Sequence, residues 1–246
     1  MELNVRKSRL RGHAAIPGSK SHTIRAAAIA SLAKGSSRIY KPLVSSDTIS
    51  AVECYRSLGA GIDTSDTECW KITGNGGRLS IPDRTIDVGN SGTTLRIAAG
   101  SASLAEKGRC ISFTGDEQIQ SRPVSPLLNS LQELGACCSS RNGKAPFRIT
   151  GKLQGGKTTI KCPSSQYLTS LLLCCPLAAG DSEIRVKELS EPGYVQITTD
   201  WLDKQGIVIF SVSVLLYLFY SIVFFLFMLF FFFFSSRRRH TRCAIV

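Results

Sequence analysis

The chain has 246 residues, 43% hydrophobic and 20% charged, which is enough apolar material for a packed core and excludes a wholly disordered or collagen-like polypeptide. Its formal net charge is +12, from 30 Lys and Arg against 18 Asp and Glu. A basic surplus of this size suits an anionic partner, but its distribution along the chain has to be read first.

Two unlike parts share the sequence. Ten of the 12 Phe lie at or after Phe210, residues 207–234 carry no charge, and Phe230–Phe234 is a homopolymer. Arg237, Arg238, Arg239 and Arg242 follow, and every acidic residue precedes this tail. Without those four arginines, 26 basic residues face 18 acidic ones, so residues 1–206 carry +8. The uncharged run exceeds the roughly 20 residues that cross a bilayer, with Arg237–Arg239 then on the cytoplasmic side. The octet Ser235–Arg242 behind poly-Phe reads more simply as a translated thymine tract running into an adapter, an artefact of assembly. The tail is therefore set aside from the fold. The start, Met-Glu-Leu-Asn-Val-Arg-Lys, lacks the apolar stretch of a signal peptide. The nine Cys form no Cys-x-x-Cys pair and no zinc spacing, so free thiols in a reducing cytoplasm are expected.

In chain order, the body repeats itself. Gly18-Ser-Lys-Ser-His-Thr-Ile-Arg25 precedes a helix expected over Thr23–Leu32, and Gly89-Asn-Ser-Gly-Thr-Thr-Leu-Arg96 precedes one over Thr93–Leu104. Arg25 and Arg96 lie 71 residues apart. A weaker third copy, Pro163–Ser170, opens a helix over Ser165–Leu177. Second helices are expected over Thr48–Leu58, Val124–Leu134 and Tyr194–Gln205. Gly59, Gly135 and Gly206 stand where a glycine cap would close each of these helices. Cys110–Thr114 reads as a strand, Trp70–Ile81 as a hairpin turning at Asn75-Gly76, and Gly12-His13 as part of an edge strand. The expected class is α/β, with three copies of a βα-type unit around a shared core.

Three helices thus begin in turns rich in Gly, Ser and Thr. A helix N-terminus carries unpaired N–H groups and partial positive charge, which suit phosphate or carboxylate. Lys20 adds a point charge, Arg25 a fork, and Gly92 a place where a ligand can approach the backbone. Ser164 and Ser165 offer hydroxyls, Gln166 an amide, and Arg122 a further cation. Each turn alone is ordinarily just a cap; repetition matters only if the turns meet at one end of the domain. Arg96 pairs either with a ligand or with a carboxylate of its own domain. His13 and His22 read as surface or turn residues. No metal site and no nucleophile with a paired base is visible, and Gly-Ser-Lys-Ser lacks the first glycine of a nucleotide phosphate loop.

These motifs, with Gly115-Asp116, Ser121-Arg122-Pro123 and Ser164-Ser-Gln-Tyr-Leu-Thr-Ser170 in the same order, make residues 1–206 resemble the N-terminal half of the 5-enolpyruvylshikimate-3-phosphate synthases. The resemblance implies one domain of three βαββαβ units, an inverse α/β barrel, over 15–206, with 1–14 a strand segment belonging to a second domain and 207–246 unrelated. It implies transfer of the enolpyruvyl group of phosphoenolpyruvate to the 5-hydroxyl of shikimate 3-phosphate, on the shikimate pathway to chorismate and aromatic amino acids, without a cofactor. It places Lys20 against both substrates, Ser21 and Arg25 on shikimate 3-phosphate, and Gly92, Thr93 and Arg122 at phosphoenolpyruvate. Ser164 and Ser165 would hold the 3-phosphate, with Gln166 between the substrates. Ser190 and Tyr194 would also face the ligand, although Gly193 is interposed where the family reads Ser-x-Pro-Tyr. The family's catalytic acidic residues belong to its other half, so this chain alone is expected to be inactive. The alternatives are a UDP-N-acetylglucosamine enolpyruvyl transferase, whose reactive loop Cys has no counterpart over Thr114–Arg122, and a non-enzymatic anion-binding module with a membrane tail. Aromatics are too few among the Lys and Arg to suggest nucleic acid.

Overall fold

The computed structural model describes residues 3, 4, 6, 7, 9, 11–211 and 243–245. The stretch 212–242, read above as anchor or artefact, lies outside them. Among the described residues, no helix is long and apolar enough to cross a membrane.

In chain order the elements are α1 Lys20–Leu32, β1 Lys34–Tyr40, α2 Ser46–Ser57, β2 Gly61–Asp63, β3 Cys69–Asn75, β4 Ile86–Asp87, α3 Gly92–Ala102, β5 Cys110–Thr114, α4 Glu117–Ser121, α5 Ser125–Glu133, β6 Cys137–Arg141, β7 Lys144–Thr150, β8 Gly156–Cys162, α6 Ser165–Cys174, β9 Ser182–Leu189, α7 Pro192–Lys204, β10 Ile209–Ser211 and β11 Cys243–Ile245. Serine starts most of the helices that matter. Ser19, Ser45, Ser91 and Ser164 cap α1, α2, α3 and α6, each accepting a backbone N–H of the first turn. This explains why α1 begins at Lys20 and not Thr23: the cap is Ser19, so Lys20 and Ser21 already belong to the helix. α6 stops at Cys174, short of Leu177, and a single 3-10 turn follows. Pro176 cannot donate to the preceding turn, and its ring crowds the carbonyl that would accept.

The strands form three sheets. The first has the order β1-β3-β2, all antiparallel; the second β4-β5-β7-β6, with β4 parallel to β5 and the rest antiparallel; the third β10-β11-β9-β8, all parallel. Helices α1, α3 and α6 lie innermost. α3 packs on both α1 and α6, while α2, α5 and α7 flank them. Alanine makes this possible in α1, where Ala26, Ala27, Ala28 and Ala30 are all buried; a helix apolar on every face belongs in an interior. Between α3 and α6 the backbones close in at Gly100. A Cβ there would meet the Ser170 carbonyl oxygen at 2.7 Å, and Gly100 N donates instead to Ser170 Oγ at 3.1 Å. Phe113 on β5 and Phe147 on β7 are cross-strand partners whose rings stack at 5.3 Å. Each such buried side chain stabilises by about 1.5–3 kcal/mol.

Two expectations are corrected. Asn75-Gly76 does turn the chain, with Asn75 Oδ1 accepting from Gly77 N at 2.9 Å, but no strand returns along 78–81. Both edges of β3 are already taken, by β1 and β2, so the antiparallel connection is β2–β3. Gly12, at a bend with φ 138°, and His13 lie in exposed chain without a sheet partner among the described residues, and none of the described residues before Ala14 is in a strand. Of the tail set aside above, Cys243–Ile245 forms β11, which stands between β9 and β10.

Candidate functional site

The capped helix starts meet at one end of the domain. Lys20, on the first turn of α1 and half exposed, pairs with Asp47 Oδ2 on the first turn of α2 at 3.2 Å. The Asp47 carbonyl accepts from Ser91 Oγ and Thr94 Oγ1, both at 3.4 Å, which ties in the start of α3. The start of α3 is bound in turn to that of α6. Arg96 Nη1 donates to Gln166 Oε1 at 2.7 Å, and Gln166 Nε2 donates to Thr93 Oγ1 at 3.0 Å. Ser165 Oγ then donates to Glu191 Oε2, at the start of α7, at 3.1 Å. Four serine-capped N-termini, those of α1, α2, α3 and α6, each with its partial positive charge, therefore share one polar rim with Lys20 and Gln166.

Arg122 completes this rim. A Cβ on Gly92 would stand 3.4 Å from Arg122 Nη1 and 2.9 Å from Arg96 Nη1, so the missing side chain leaves room for two guanidinium groups beside the backbone. Arg122 is exposed; Arg96 is 6% exposed. Among the described residues Arg96 forms no ion pair with a carboxylate. Its partners are Gln166, the Gly92 and Pro123 carbonyls, and the Tyr167 ring at 5.2 Å, and its Nε is buried without a partner. Tyr167 itself donates to the Pro123 carbonyl at 2.7 Å, which holds the segment carrying Arg122 against α6. The short α4 below is capped by Asp116, whose carboxyl is held below its ordinary range by the Ile119 N–H and then by the Asn90 amide.

Arg25 turns inward. It is 1% exposed, and its nitrogens reach Thr198 Oγ1 at 2.8 Å, Thr169 Oγ1 at 3.0 Å, and the Ser21 and Tyr194 carbonyls at 3.1 and 3.2 Å. Burial lowers its pKa to about 10, so it stays charged at neutral pH. It therefore joins α1, α6 and α7 from beneath the rim. Ser190 is exposed, its N–H held by the Cys162 carbonyl at 3.0 Å, and Tyr194 is 43% exposed above Arg25. His22 sits outside the rim, where its Nδ1 accepts from Trp201 Nε1 at 3.1 Å; His13 is exposed.

Reading the sequence missed Asp47, Tyr167 and Glu191. Asp47 carried a signal, an acidic residue in the first turn after a serine cap. Glu191 carried a weaker one, an acidic residue just before a proline that opens a helix.

The domain is α/β, and its innermost helices present their capped starts, serine hydroxyls and cations along one rim, an arrangement whose donors and charge suit small anions. A family model for EPSP synthase (3-phosphoshikimate 1-carboxyvinyltransferase) matches residues 5–214. The 3-phosphoshikimate 1-carboxyvinyltransferase of Acetivibrio thermocellus is 50% identical over 209 residues, covering 84% of this chain and 49% of the relative. That of Methanothermobacter thermautotrophicus is 41% identical over 218 residues, covering 87% and 50%. The EPSP synthase structure from Acinetobacter baumannii superposes with a TM-score of 0.71 at 25% identity, over 80% of this chain and 44% of that one. The chain belongs to the EPSP synthase family, and it spans about half the length of the curated relatives it matches.

Proposed function

We propose that this rim binds shikimate 3-phosphate and phosphoenolpyruvate for transfer of the enolpyruvyl group to the 5-hydroxyl, with release of phosphate. In this reading Ser164 and Ser165 take the 3-phosphate at the start of α6, where helix amides and hydroxyls favour an anion. Ser21, Ser190 and Tyr194 flank the shikimate. Gly92, Thr93 and Arg122 receive phosphoenolpyruvate, and Lys20 and Gln166 stand between the two ligands. Fixed cations here would stabilise the charge that builds on the departing phosphate, without reorganising during the reaction. Arg25 acts as a positioning residue, since its hydrogen bonds go to protein groups. The three sheets with their paired helices are then three copies of one βαββαβ unit, each offering one helix start to the rim.

The observation that carries this reading is the chain of contacts Arg96–Gln166–Thr93, which brings the α3 and α6 starts together. Proton transfer at the substrate hydroxyl and the enol carbon needs acidic groups. At this rim Asp47 and Glu191 are engaged with Lys20 and Ser165. We therefore assign those transfers to the part of the relatives that this chain does not span, and expect the chain alone to bind without turnover. Calorimetric titration with shikimate 3-phosphate tests this. Saturable binding should weaken about tenfold or more in Ser165→Ala, the loss of one hydrogen bond to a charged group. Tighter binding of UDP-N-acetylglucosamine than of shikimate 3-phosphate would overturn the reading.

A further inference from the structure

The connection between β9 and α7 lays an acidic side chain on the hydroxyl just assigned to phosphate. Ser165 is 1% exposed, and its Oγ donates to Glu191 Oε2. Glu191 is the residue before the first turn of α7, where a carboxylate ordinarily accepts an N–H of its own helix. Here it makes no such bond and reaches across to α6. Its backbone is left-handed, at φ 57° and ψ 54°, a conformation uncommon outside glycine. Neighbouring bonds hold it there. Ser190 N donates to the Cys162 carbonyl on one side, and the Tyr194 carbonyl accepts from Arg25 on the other. Among the described residues no Lys or Arg forms an ion pair with Glu191.

We propose that Glu191 is an internal anion plug: its carboxylate holds the phosphate seat at the start of α6, and an incoming phosphate monoester must displace it. The inference rests on the reading of Ser164 and Ser165 as that seat. The Ser165 hydroxyl has one proton to donate, so it cannot serve two anions at once, and two negative groups at hydrogen-bond range of the same atom repel. Glu191 is exposed and is free to swing outward once displaced. Ligand affinity is then the difference between the gain of the phosphate and the loss of the carboxylate. A ligand with contacts beyond its phosphate overcomes that loss, while bare inorganic phosphate gains little. Glu191 thus sets selectivity for the whole monoester.

The test titrates the full chain with shikimate 3-phosphate and with inorganic phosphate, in the wild type, Glu191→Gln, Glu191→Gly and Ser165→Ala. Glu191→Gln removes the charge and keeps a polar side chain; Glu191→Gly removes the side chain and suits the left-handed backbone. Both should bind shikimate 3-phosphate about fivefold tighter than wild type, the size of one solvent-screened charge repulsion. Inorganic phosphate should gain at least as much. Equal or weaker binding by both Glu191 variants, with binding still lost in Ser165→Ala, overturns the plug and leaves the seat standing. Unchanged binding in Ser165→Ala, or no saturation by any of the four proteins, overturns the seat and the plug together.

Discussion

The starts of α1 and α3 carry the same motif phase, yet they use their arginines differently. Arg25 and Arg96 are both buried, and among the described residues neither forms an ion pair with a carboxylate. All three nitrogens of Arg25 are engaged with hydroxyls and carbonyls of α1, α6 and α7. Arg96 spends its fork on Gln166 and two carbonyls and leaves Nε unpartnered. One arginine fastens three helices, and the other aims a rim side chain. Dipoles rather than charges hold both, and no described carboxylate offsets either guanidinium. A paired carboxylate would cancel the positive field that the proposed binding of anions there needs.

Removing each arginine separates these roles. Arg25→Met should lose about 3 kcal/mol of unfolding free energy in urea, since it strips partners from buried hydroxyls and carbonyls in three helices at once. Arg96→Met should lose less, about 2 kcal/mol, but should weaken shikimate 3-phosphate binding more per unit of lost stability, because Gln166 is set adrift. If Arg96→Met proves the more destabilising of the two, the division of labour is wrong. Gly92→Ala comes next. Its new Cβ pushes back the Arg96 guanidinium, 2.9 Å away, and comes to contact with that of Arg122 at 3.4 Å. Phosphoenolpyruvate affinity, measured with shikimate 3-phosphate present, should fall about tenfold, a shift of about 1.4 kcal/mol, while the urea midpoint hardly moves.

The same contrast explains what could be read in advance. The strand Cys110–Thr114 and the six longer helices are local facts, set by alternation and by apolar periodicity, and both were legible in the sequence, although α1 begins three residues before the expected Thr23. The hairpin at Asn75-Gly76 was misread because the turn is local and its strand partner is not: only the sheet reveals that β1 and β2 already flank β3. The rim residues on the repeated motifs could be named from spacing. The inward turn of Arg25 could not, for it depends on Thr169 and Thr198 arriving from helices more than 140 residues away in sequence. Glu191 stayed hidden for the same reason, since Ser165, its partner, is on another helix.

The far end of α3 offers the smallest and cleanest contrast with its charged start. There Ser101 meets Tyr55 of α2 at 2.8 Å, beside the fully buried Cys54. Burial pushes the Cys54 thiol up from 9.0 to about 12, and it pushes the Tyr55 phenol up as well, against a smaller opposing effect of the Ser101 hydrogen bond. Both groups keep their protons in the folded protein, whereas the unfolded chain begins to release them near pH 9 to 10. Their contribution is therefore fully present below about pH 9 and declines as pH rises toward 12. At pH 9.5 Cys54 alone should lower unfolding free energy by about 0.8 kcal/mol relative to pH 7. Urea unfolding of wild type and Cys54→Ala between pH 7 and 10 reads this directly: the variant starts less stable but declines less steeply. Parallel slopes would mean that the Cys54 thiol ionises inside the fold, and that the end of α3 away from the rim is open to water.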